Sequence, residues 1–256
     1  MKLDKITLVA VSSVKIDKTI KALKQSMDGI EYGEVLLISH EQPVDLPVEI
    51  KFKKCHKINS IDAYNWFMIF ELGKYVKTDF VLVIQYDGYV LNPNKWIDGF
   101  MNYDYIGAPW SPQTFFDKTG QEVRVGNGGF SLRSKKLLNS LLNINIKLST
   151  DLTSFDSEDN VICVQYRSAL EAVGIKFAPV DIAAKFSRET ADAEFNKDTF
   201  GFHCSPIWLE SNSSKIKKKI RQKFNTLLKG ILGRKIINKL KNRYKEHIRL
   251  SNDVES

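Results

Sequence analysis

The chain has 256 residues, of which 43% are hydrophobic and 27% are charged, a balance that is typical of a soluble globular protein with a full core. No apolar run approaches the roughly 20 residues of a membrane-spanning helix, and the first residues lack a signal-peptide cleavage pattern, so we expect a cytoplasmic protein. The net charge of +8 is uneven. Lys215–Ser256 contains 14 Lys and Arg against 3 Asp and Glu, whereas residues 1–214 have a net charge of −3, which gives no sign that the body binds nucleic acid.

The first half of the chain predicts strands that alternate with helices. Apolar, β-branched runs indicate the strands, and apolar positions at helical spacing indicate the helices between them. The predicted elements are, in order, a strand Ile6–Ser13, a helix Val14–Met27, a strand Val35–Ser39, a strand Val48–Phe52, a helix from Asn59 to Tyr75 and a strand Phe80–Gln85. This alternation is typical of a mostly parallel α/β sheet with right-handed crossovers.

The strand Phe80–Gln85 is the centre of this arrangement. Its continuous apolar run predicts a strand buried on both faces, as in the middle of a parallel sheet. The run stops at Asp87-Gly88, so we expect Asp87 at the carboxyl end of a central strand, where open α/β sheets bind their ligands. A carboxylate there suits a divalent cation that holds a diphosphate. The alternative interpretation is an ordinary Asp-Gly turn.

The second half of the chain predicts shorter elements joined by loops. They are a short helix around Trp96–Phe100, a loop Ser111–Glu122, a strand entered through Gly126-Asn127-Gly128-Gly129, a helix Ser134–Leu142, a helix capped by Ser157 that runs to about Val173, and strands at Lys176–Pro179 and Phe200–His203. The glycines allow either a loop under a sugar or phosphate, or a β-bulge or tight hairpin.

Two other groups of residues could carry chemistry. Glu158 and Asp159 lie in the first turn of a predicted helix, whose dipole stabilises ionised carboxylates that can accept a proton from a hydroxyl. Acids at a helix start are also explained without catalysis. His203 lies among aromatic residues, where a histidine is either a hydrogen-bonded core residue or a nitrogen ligand for a cation at Asp87.

The order of these parts resembles that of the GT-A glycosyltransferases, and especially of the fringe-type inverting transferases. Their corresponding parts are a metal-binding Asp motif, a glycine pair near the donor sugar, a Glu-Asp catalytic pair and a metal-binding His. Three segments are more closely similar to an uncharacterised glycosyltransferase-like domain family of bacteria and fungi: Gln85-Tyr86-Asp87, Asp104–Trp110 and Gly126–Arg133. One departure is that Gln85 stands at the first position of the usual Asp-x-Asp motif, and one carboxylate binds a hard cation less tightly than two.

The resemblance implies a site for a nucleotide-diphosphate sugar such as a UDP-sugar. It implies that the donor is bound by Val11 and Ser12 at the base and ribose, by Asp87 through a cation at the diphosphate, and by Asn127, Gly128 and Gly129 at the sugar. Gln85 and Tyr86 are further donor-binding residues that it implies. It further implies that Mn²⁺ or Mg²⁺ is held by Asp87 and His203. Trp110 is expected to present a flat apolar face to the acceptor sugar. Asp159 is expected to be the general base, with Glu158 as the alternative.

The segment Lys215–Arg249 predicts a basic amphipathic helix. Its apolar residues recur at helical spacing, and lysines and arginines fill the other faces. Such a helix suits the surface of an anionic membrane. The alternatives are a solvated helix that packs on the body, and a calmodulin-like or nucleic-acid-binding tail.

The sequence therefore predicts a GT-A (Rossmann-like) α/β domain at residues 1–210, followed by a basic helical tail at residues 211–256. The expected activity is inverting transfer of a sugar from a nucleotide-diphosphate sugar to a glycan or lipid-linked glycan, in polysaccharide biosynthesis at the inner face of the membrane. The alternative is a non-catalytic nucleotide-sugar or carbohydrate-binding protein that the tail tethers to a membrane.

Overall fold

The structure is a computed structural model that describes residues 1–148, 157–189 and 198–203. Strands and helices alternate in the first half of the chain. These elements are β1 (Lys2–Val11), α1 (Ile16–Met27), β2 (Glu31–Ser39), β3 (Lys51–Lys54), α2 (Ile61–Phe70), α3 (Leu72–Tyr75), β4 (Phe80–Ile84) and β5 (Gly88–Val90). Ser60 caps α2 by accepting a 3.1 Å hydrogen bond from the Ala63 N–H group, which satisfies a donor that the first helical turn leaves unpaired.

The second half has shorter elements. Two 3₁₀ turns, Pro93–Lys95 and Asp98–Asn102, precede β6 (Tyr105–Ile106), β7 (Phe115–Phe116), β8 (Glu122–Val123), β9 (Phe130–Ser134) and α4 (Lys135–Asn143). They are followed by α5 (Glu158–Asn160), a π-helical turn Val161–Gln165, α6 (Arg167–Ala172), α7 (Val180–Phe186), β10 (Ser187–Arg188) and β11 (Gly201–His203).

A six-stranded sheet in the order β3-β2-β1-β4-β9-β6 forms the centre of the fold. Strands β1, β2, β3 and β4 are mutually parallel, and β9 runs antiparallel to both β4 and β6. Five of the six strands therefore point the same way, which confirms a mostly parallel sheet. Strand β4 has one parallel neighbour, β1, and one antiparallel neighbour, β9.

The apolar runs in β1, β2 and β4 arise because both faces of the sheet are covered. Leu8 and Ala10 pack into one hydrophobic cluster together with residues of α1, whereas Val9 and Val11 pack into another with residues of α2 and α3. Successive side chains of a strand point to opposite faces, so covering both faces requires apolar residues at consecutive positions. The prediction that Phe80–Gln85 is buried on both faces is confirmed by the complete burial of Val81–Ile84.

Several predicted elements differ from the structure, three of them most clearly. The third strand is Lys51–Lys54, a largely exposed edge strand, and not Val48–Phe52. The single helix expected from Ser157 to Val173 is interrupted by the π-helical turn Val161–Gln165. The strand expected at Lys176–Pro179 is reduced to one bridge between Phe177 and Tyr105, because the chain turns directly into α7.

A small sheet brings the late residue His203 to the end of the central strand. In the order β10-β11-β5, β11 pairs antiparallel with β5, and His203 lies opposite Gly88. Because β5 begins directly after Asp87, this pairing places His203 beside Asp87 although 116 positions separate them in the sequence.

The described residues fall in the first of two compact units, Met1–Ser205. The second unit, Pro206–Ser256, and with it the predicted basic tail, lies outside the described residues, so the division at residue 210 stays a prediction. None of the helices in the described part of the chain has the length and hydropathy needed to cross a membrane.

Candidate active site

A cavity of about 340 Å³ lies at the carboxyl ends of β1 and β4. Ala10 pairs with Ile84 in the sheet, so the residues that follow these two strands lie side by side. Four predicted donor-binding residues line this cavity: Val11, Ser12, Gln85 and Tyr86. Other residues, to which the sequence analysis gave no role in donor binding, also line it: Ser13, Asn59, Ser60, Ile61 and Tyr64. Apolar walls with a few polar groups are typical of a small-molecule site.

Asp87 and His203, the predicted metal ligands, lie close together just beyond the carboxyl end of β4. His203 Nε2 is 3.5 Å from Asp87 Oδ1 and 3.2 Å from Gln85 Oε1. The Gln85 amide nitrogen in turn donates a 2.9 Å hydrogen bond to the Tyr64 hydroxyl group. On the other side of the imidazole, Glu189 Oε1 lies 3.7 Å from His203 Nδ1. Glu189 is thus an additional acid of the site.

The residues at this point fit a divalent cation as a partial ligand set. A carboxylate oxygen, an amide oxygen and an imidazole nitrogen converge here, and Mn²⁺ and Mg²⁺ accept such donors while keeping positions for water and phosphate oxygens. Within residues 1–148, 157–189 and 198–203, no group of three or more His, Cys, Asp or Glu side chains is arranged to hold a metal ion. Asp87 and His203 would therefore need further ligands from a bound molecule.

Gly128 and Gly129 make room for two side chains of the protein itself. A Cβ atom on Gly129 would lie 2.3 Å from His203 Nε2, and one on Gly128 would lie 1.7 Å from Glu158 Oε1. The preceding Asn127 adopts a φ of 63°, and its Oδ1 atom accepts a 3.1 Å hydrogen bond from the Gly129 N–H group. The glycine pair therefore lets an imidazole and a carboxylate approach two consecutive residues of the loop closely.

Asp159 is attached to the same glycine pair. The Gly128 N–H group donates a 3.0 Å hydrogen bond to Asp159 Oδ2, and the Asn160 N–H group donates a 2.9 Å hydrogen bond to Oδ1. The side chain is only half-buried. Because Gly129 packs on His203 and Gly128 binds Asp159, the two predicted halves of the site meet at consecutive residues.

Glu158 has a different environment from its neighbour Asp159. It is 3% exposed and forms a 2.9 Å ion pair with the fully buried Arg133. Burial raises the pKa of Glu158, and the Arg133 guanidinium opposes this rise. A base must reach the hydroxyl that it deprotonates. The buried, paired Glu158 does not have that access, which leaves Asp159 as the accessible acid of the two.

Arg133 also fixes the backbone of the glycine pair. Its Nη2 atom donates to the Gly128 carbonyl oxygen at 3.4 Å, and its Nε atom donates to Ser131 Oγ at 3.0 Å. Ser131 Oγ donates to the same carbonyl oxygen at 3.1 Å. The backbone of Gly128 is thus bound by Arg133 and Ser131 at its carbonyl group and by Asp159 at its N–H group.

Trp110 does not present the open face that was expected for an acceptor sugar. Its side chain is 8% exposed, and its ring centroid lies 4.3 Å from that of Phe115. A Cβ atom on Gly126 would lie 1.9 Å from the indole ring. The tryptophan therefore packs against the glycine loop as a core residue. The expectation of an exposed sugar-binding face was wrong, because burial of a large aromatic ring in the core is favourable.

Arg133 and Glu189 lie at the site although the sequence analysis assigned neither of them a role. The sequence contains a signal for the first residue and none for the second. Arg133 directly follows the apolar-polar alternation Phe130-Ser131-Leu132 of a strand, and an arginine that is buried in a strand requires a buried partner. That pattern could have indicated a pair with one of the acids. Glu189 carries no such signal, because only the pairing of β10 with β11 brings it to His203.

Comparisons with known proteins identify the family of this chain and solved structures with a similar fold. Residues 47–203, more than half of the chain, match the family described as "Protein of unknown function (DUF5672)". The galactosyltransferase LgtC, solved with donor and acceptor sugar analogues, superposes with a TM-score of 0.51 at 13% identity, over 78% of this chain and 87% of that chain. No curated protein matches the sequence.

Two further solved structures are similar at lower scores. A glycosyltransferase involved in glycosylation of the major capsid of PBCV-1 gives a TM-score of 0.45 at 15% identity, over 78% of this chain and 92% of that chain. The mannosyltransferase PcManGT from Pyrobaculum calidifontis, in complex with GDP-Man and Mn²⁺, gives 0.42 at 10% identity, over 70% of this chain and 55% of that chain. The likeness to LgtC confirms the GT-A-like fold, whereas the fringe-type motif order stays a prediction.

Proposed function

This chain belongs to the DUF5672 family, and we propose that it is a glycosyltransferase that uses a nucleotide-diphosphate sugar, with a UDP-sugar as the first candidate. The acceptor is a hydroxyl group of a glycan or lipid-linked glycan in surface polysaccharide synthesis. The observation that carries the proposal is the junction at Gly128–Gly129, where His203 packs on one glycine and Asp159 binds the other. The Asp87 carboxylate and the His203 imidazole, which would hold the cation that binds a diphosphate, thereby share one edge of the sheet with an accessible base.

The cavity beside β1 and β4 supports the donor side of this proposal. The nucleoside occupies the cavity, next to Val11 and Ser12, with its diphosphate directed toward Asp87. Open α/β sheets bind nucleotides at the carboxyl ends of their strands, and the volume of about 340 Å³ lies at the lower end of the range of ligand pockets.

Asp87 and His203 would hold Mn²⁺ or Mg²⁺ against the diphosphate. When bound, the cation would stabilise the negative charge that develops on the departing nucleotide. Gln85 would face the same point with its amide oxygen, which is neutral and therefore a weaker ligand than the carboxylate of an Asp-x-Asp motif. Affinity for the cation should accordingly depend on the presence of the nucleotide.

Asp159 is the general base in this proposal. The Gly128 N–H group holds one carboxylate oxygen at 3.0 Å, which orients the carboxylate and leaves it accessible. The acceptor hydroxyl loses its proton to Asp159 as its oxygen bonds to the anomeric carbon, and the bond from that carbon to the diphosphate breaks on the opposite face. This geometry inverts the anomeric configuration, and NMR of the product would report it directly.

The first test is a thermal-shift and calorimetric screen of nucleotide sugars with and without Mn²⁺. A ligand that binds only the native state raises its stability, so a true donor raises Tm in the wild type. Asp87→Ala should weaken nucleotide binding that depends on Mn²⁺ and spare the binding of a bare nucleoside. Asp181→Asn, an exposed acid at the start of α7, is the control. Equal binding by Asp87→Ala and the wild type would refute the cation site.

The basic tail supports a location at a membrane surface. We include in the proposal that Lys215–Arg249 holds the cytoplasmic enzyme at the inner face of the membrane, beside a lipid-linked acceptor. Co-sedimentation with anionic vesicles, for the full chain and for residues 1–214, tests this. The full chain should bind and the truncated chain should not, and equal binding would remove the tail from the proposal.

A second candidate function is non-catalytic binding of a nucleotide sugar or carbohydrate. The observation that favours it is Gln85, whose amide hydrogen-bonds to Tyr64 where the Asp-x-Asp motif has an acid. Donor hydrolysis and transfer assays separate the two functions. A wild type that binds a nucleotide sugar tightly and neither hydrolyses nor transfers it would establish the second.

A further inference from the structure

Lys15 adopts a backbone conformation that neither its own side chain nor its position in the helix favours. Its φ of 52° and ψ of 39° lie in the left-handed region, which residues with a Cβ atom other than Asn and Asp rarely adopt. It stands at the N-cap of α1, where it makes no side-chain capping hydrogen bond to the described residues. Ser, Thr, Asp or Asn would cap the helix better. Strained positions of this kind are enriched at ligand-binding sites.

Neighbouring contacts maintain this conformation at the rim of the cavity. Ser13 Oγ accepts a 2.9 Å hydrogen bond from the Ile58 N–H group across the cavity, and the Lys15 carbonyl oxygen accepts a 3.0 Å bond from the Thr19 N–H group. With the loop fixed at both ends, the Lys15 ammonium group lies over the ring of Tyr86, 3.7 Å from its centroid. Tyr86 lines the cavity and directly precedes Asp87.

The positive charge of Lys15 is complementary to the negative diphosphate of the proposed donor. Within the described part of the chain, the residues that line the cavity are uncharged, and the groups beside His203 are the acids Asp87 and Glu189. A diphosphate therefore needs a positive charge in addition to a cation at Asp87. Lys15 is exposed, so its ammonium group is free to leave the weak contact with Tyr86.

We propose that Lys15 is a diphosphate-binding residue of the donor site, whose ammonium group moves from the Tyr86 ring to the phosphate oxygens when the donor binds. This inference rests on the proposed function, because it assigns a residue to the same donor. The left-handed backbone at Lys15 is retained at a cost in stability because it aims the side chain across the mouth of the cavity.

Calorimetry on the full chain tests the proposal with UDP, GDP, inorganic pyrophosphate and uridine. Lys15→Met should lower the affinity for the best-binding diphosphate by about tenfold or more, since hydrogen bonds to charged groups are strong, and should leave uridine binding unchanged. Lys15→Arg should retain most of the affinity. Lys5→Met removes the same charge from an exposed position nearer the amino end of β1, and should behave as the wild type.

Lys15→Asn separates a binding role from a structural one. Asparagine tolerates the left-handed region, so this variant should melt at a higher temperature than the wild type while binding diphosphates as weakly as Lys15→Met. Diphosphate affinity equal to that of the wild type in Lys15→Met, or an equal loss in Lys5→Met, would overturn the assignment while the proposed function stands. Failure of the wild type to bind any of the diphosphates would overturn both.

Discussion

Two clusters of ionisable groups flank the Gly128–Gly129 pair, and they differ in how their charge is compensated. Around His203, the Asp87 and Glu189 side chains are 26% and 32% exposed, and two carboxylates face one imidazole. Around Arg133, the guanidinium and the Glu158 carboxylate are 0% and 4% exposed and neutralise each other. The first cluster, with two acids beside one imidazole, is the proposed cation site, whereas the second is closed to solvent and holds the loop that both share.

Two acids that are adjacent in the sequence, Glu158 and Asp159, lie in different surroundings. Glu158 points into the closed cluster and Asp159 into the accessible side of the loop, so one stabilises the structure and the other is available for chemistry. Variants that remove one cluster without the other test whether this division is correct.

The largest effect is expected for Arg133→Met, which leaves Glu158 buried without its positive partner. Breaking a buried ion pair from one side costs about 3–5 kcal/mol of unfolding free energy, measured by urea denaturation. The double variant Arg133→Met/Glu158→Leu should recover most of this loss, because it removes both charges and fills the space. Losses that simply add in the double variant would contradict a coupled pair.

Asp159→Asn should reduce sugar transfer by roughly a hundredfold to ten-thousandfold, the usual contribution of a general base. The asparagine oxygen can still accept the hydrogen bond from the Gly128 N–H group, but the bond from the Asn160 N–H group is lost because the amide has one acceptor oxygen. Tm should therefore fall slightly, and donor affinity should stay close to that of the wild type. Steady-state kinetics with the donor from the screen, alongside calorimetry, measures both. Undiminished turnover would exclude Asp159 as the base.

Gly129→Ala should disturb the accessible cluster, because the added Cβ atom would lie 2.3 Å from His203 Nε2. Overpacking of this kind costs about 1–3 kcal/mol, and displacement of the imidazole should weaken Mn²⁺ binding in the presence of nucleotide. The matched control is Gly99→Ala, whose Cβ atom would have no neighbour closer than 3.8 Å. Mn²⁺ affinity that is unchanged in Gly129→Ala would separate the glycine from the cation site.

The smallest effect is a dependence of stability on pH. The pKa of Glu158 is raised from 4.5 in the folded state by burial, so its protonated form is favoured by folding. Its contribution to stability is complete below pH 4.5 and declines as pH rises through the raised pKa. The slope should be less than about 1.4 kcal/mol per pH unit. Glu158→Gln, although less stable, should show a flatter profile over this window, and identical slopes would contradict the assignment.

Sequence patterns were most informative where a local rule governs the outcome. The run Phe80–Gln85 predicted the buried central strand, and Ser60 and Ser134 marked helix starts that the structure confirms through their capping bonds. The patterns were less informative around Ser157, where the expected helix is broken at Val161–Gln165. Periodicity does not distinguish a continuous helix from one with a π-helical turn, because the apolar face continues through both.

In the candidate site too, the sequence indicated some residues and not others. Asp87, His203 and Asp159 were selected from their sequence context, but neither Glu189 nor Lys15 was. Glu189 reaches His203 only through the small sheet formed by β10, β11 and β5. Lys15 is distinguished by a backbone angle that no pattern of side chains encodes.

The sequence by itself determined the mostly parallel α/β sheet and the acid at the end of its central strand, since alternating apolar runs and strand ends are properties of neighbouring residues. Only the tertiary structure decided that β9 runs antiparallel, that Trp110 is buried, and that Glu158 pairs with Arg133 while Asp159 remains accessible. These outcomes depend on contacts between residues that are far apart in the chain, where packing and desolvation compete and no local pattern records which of them prevails.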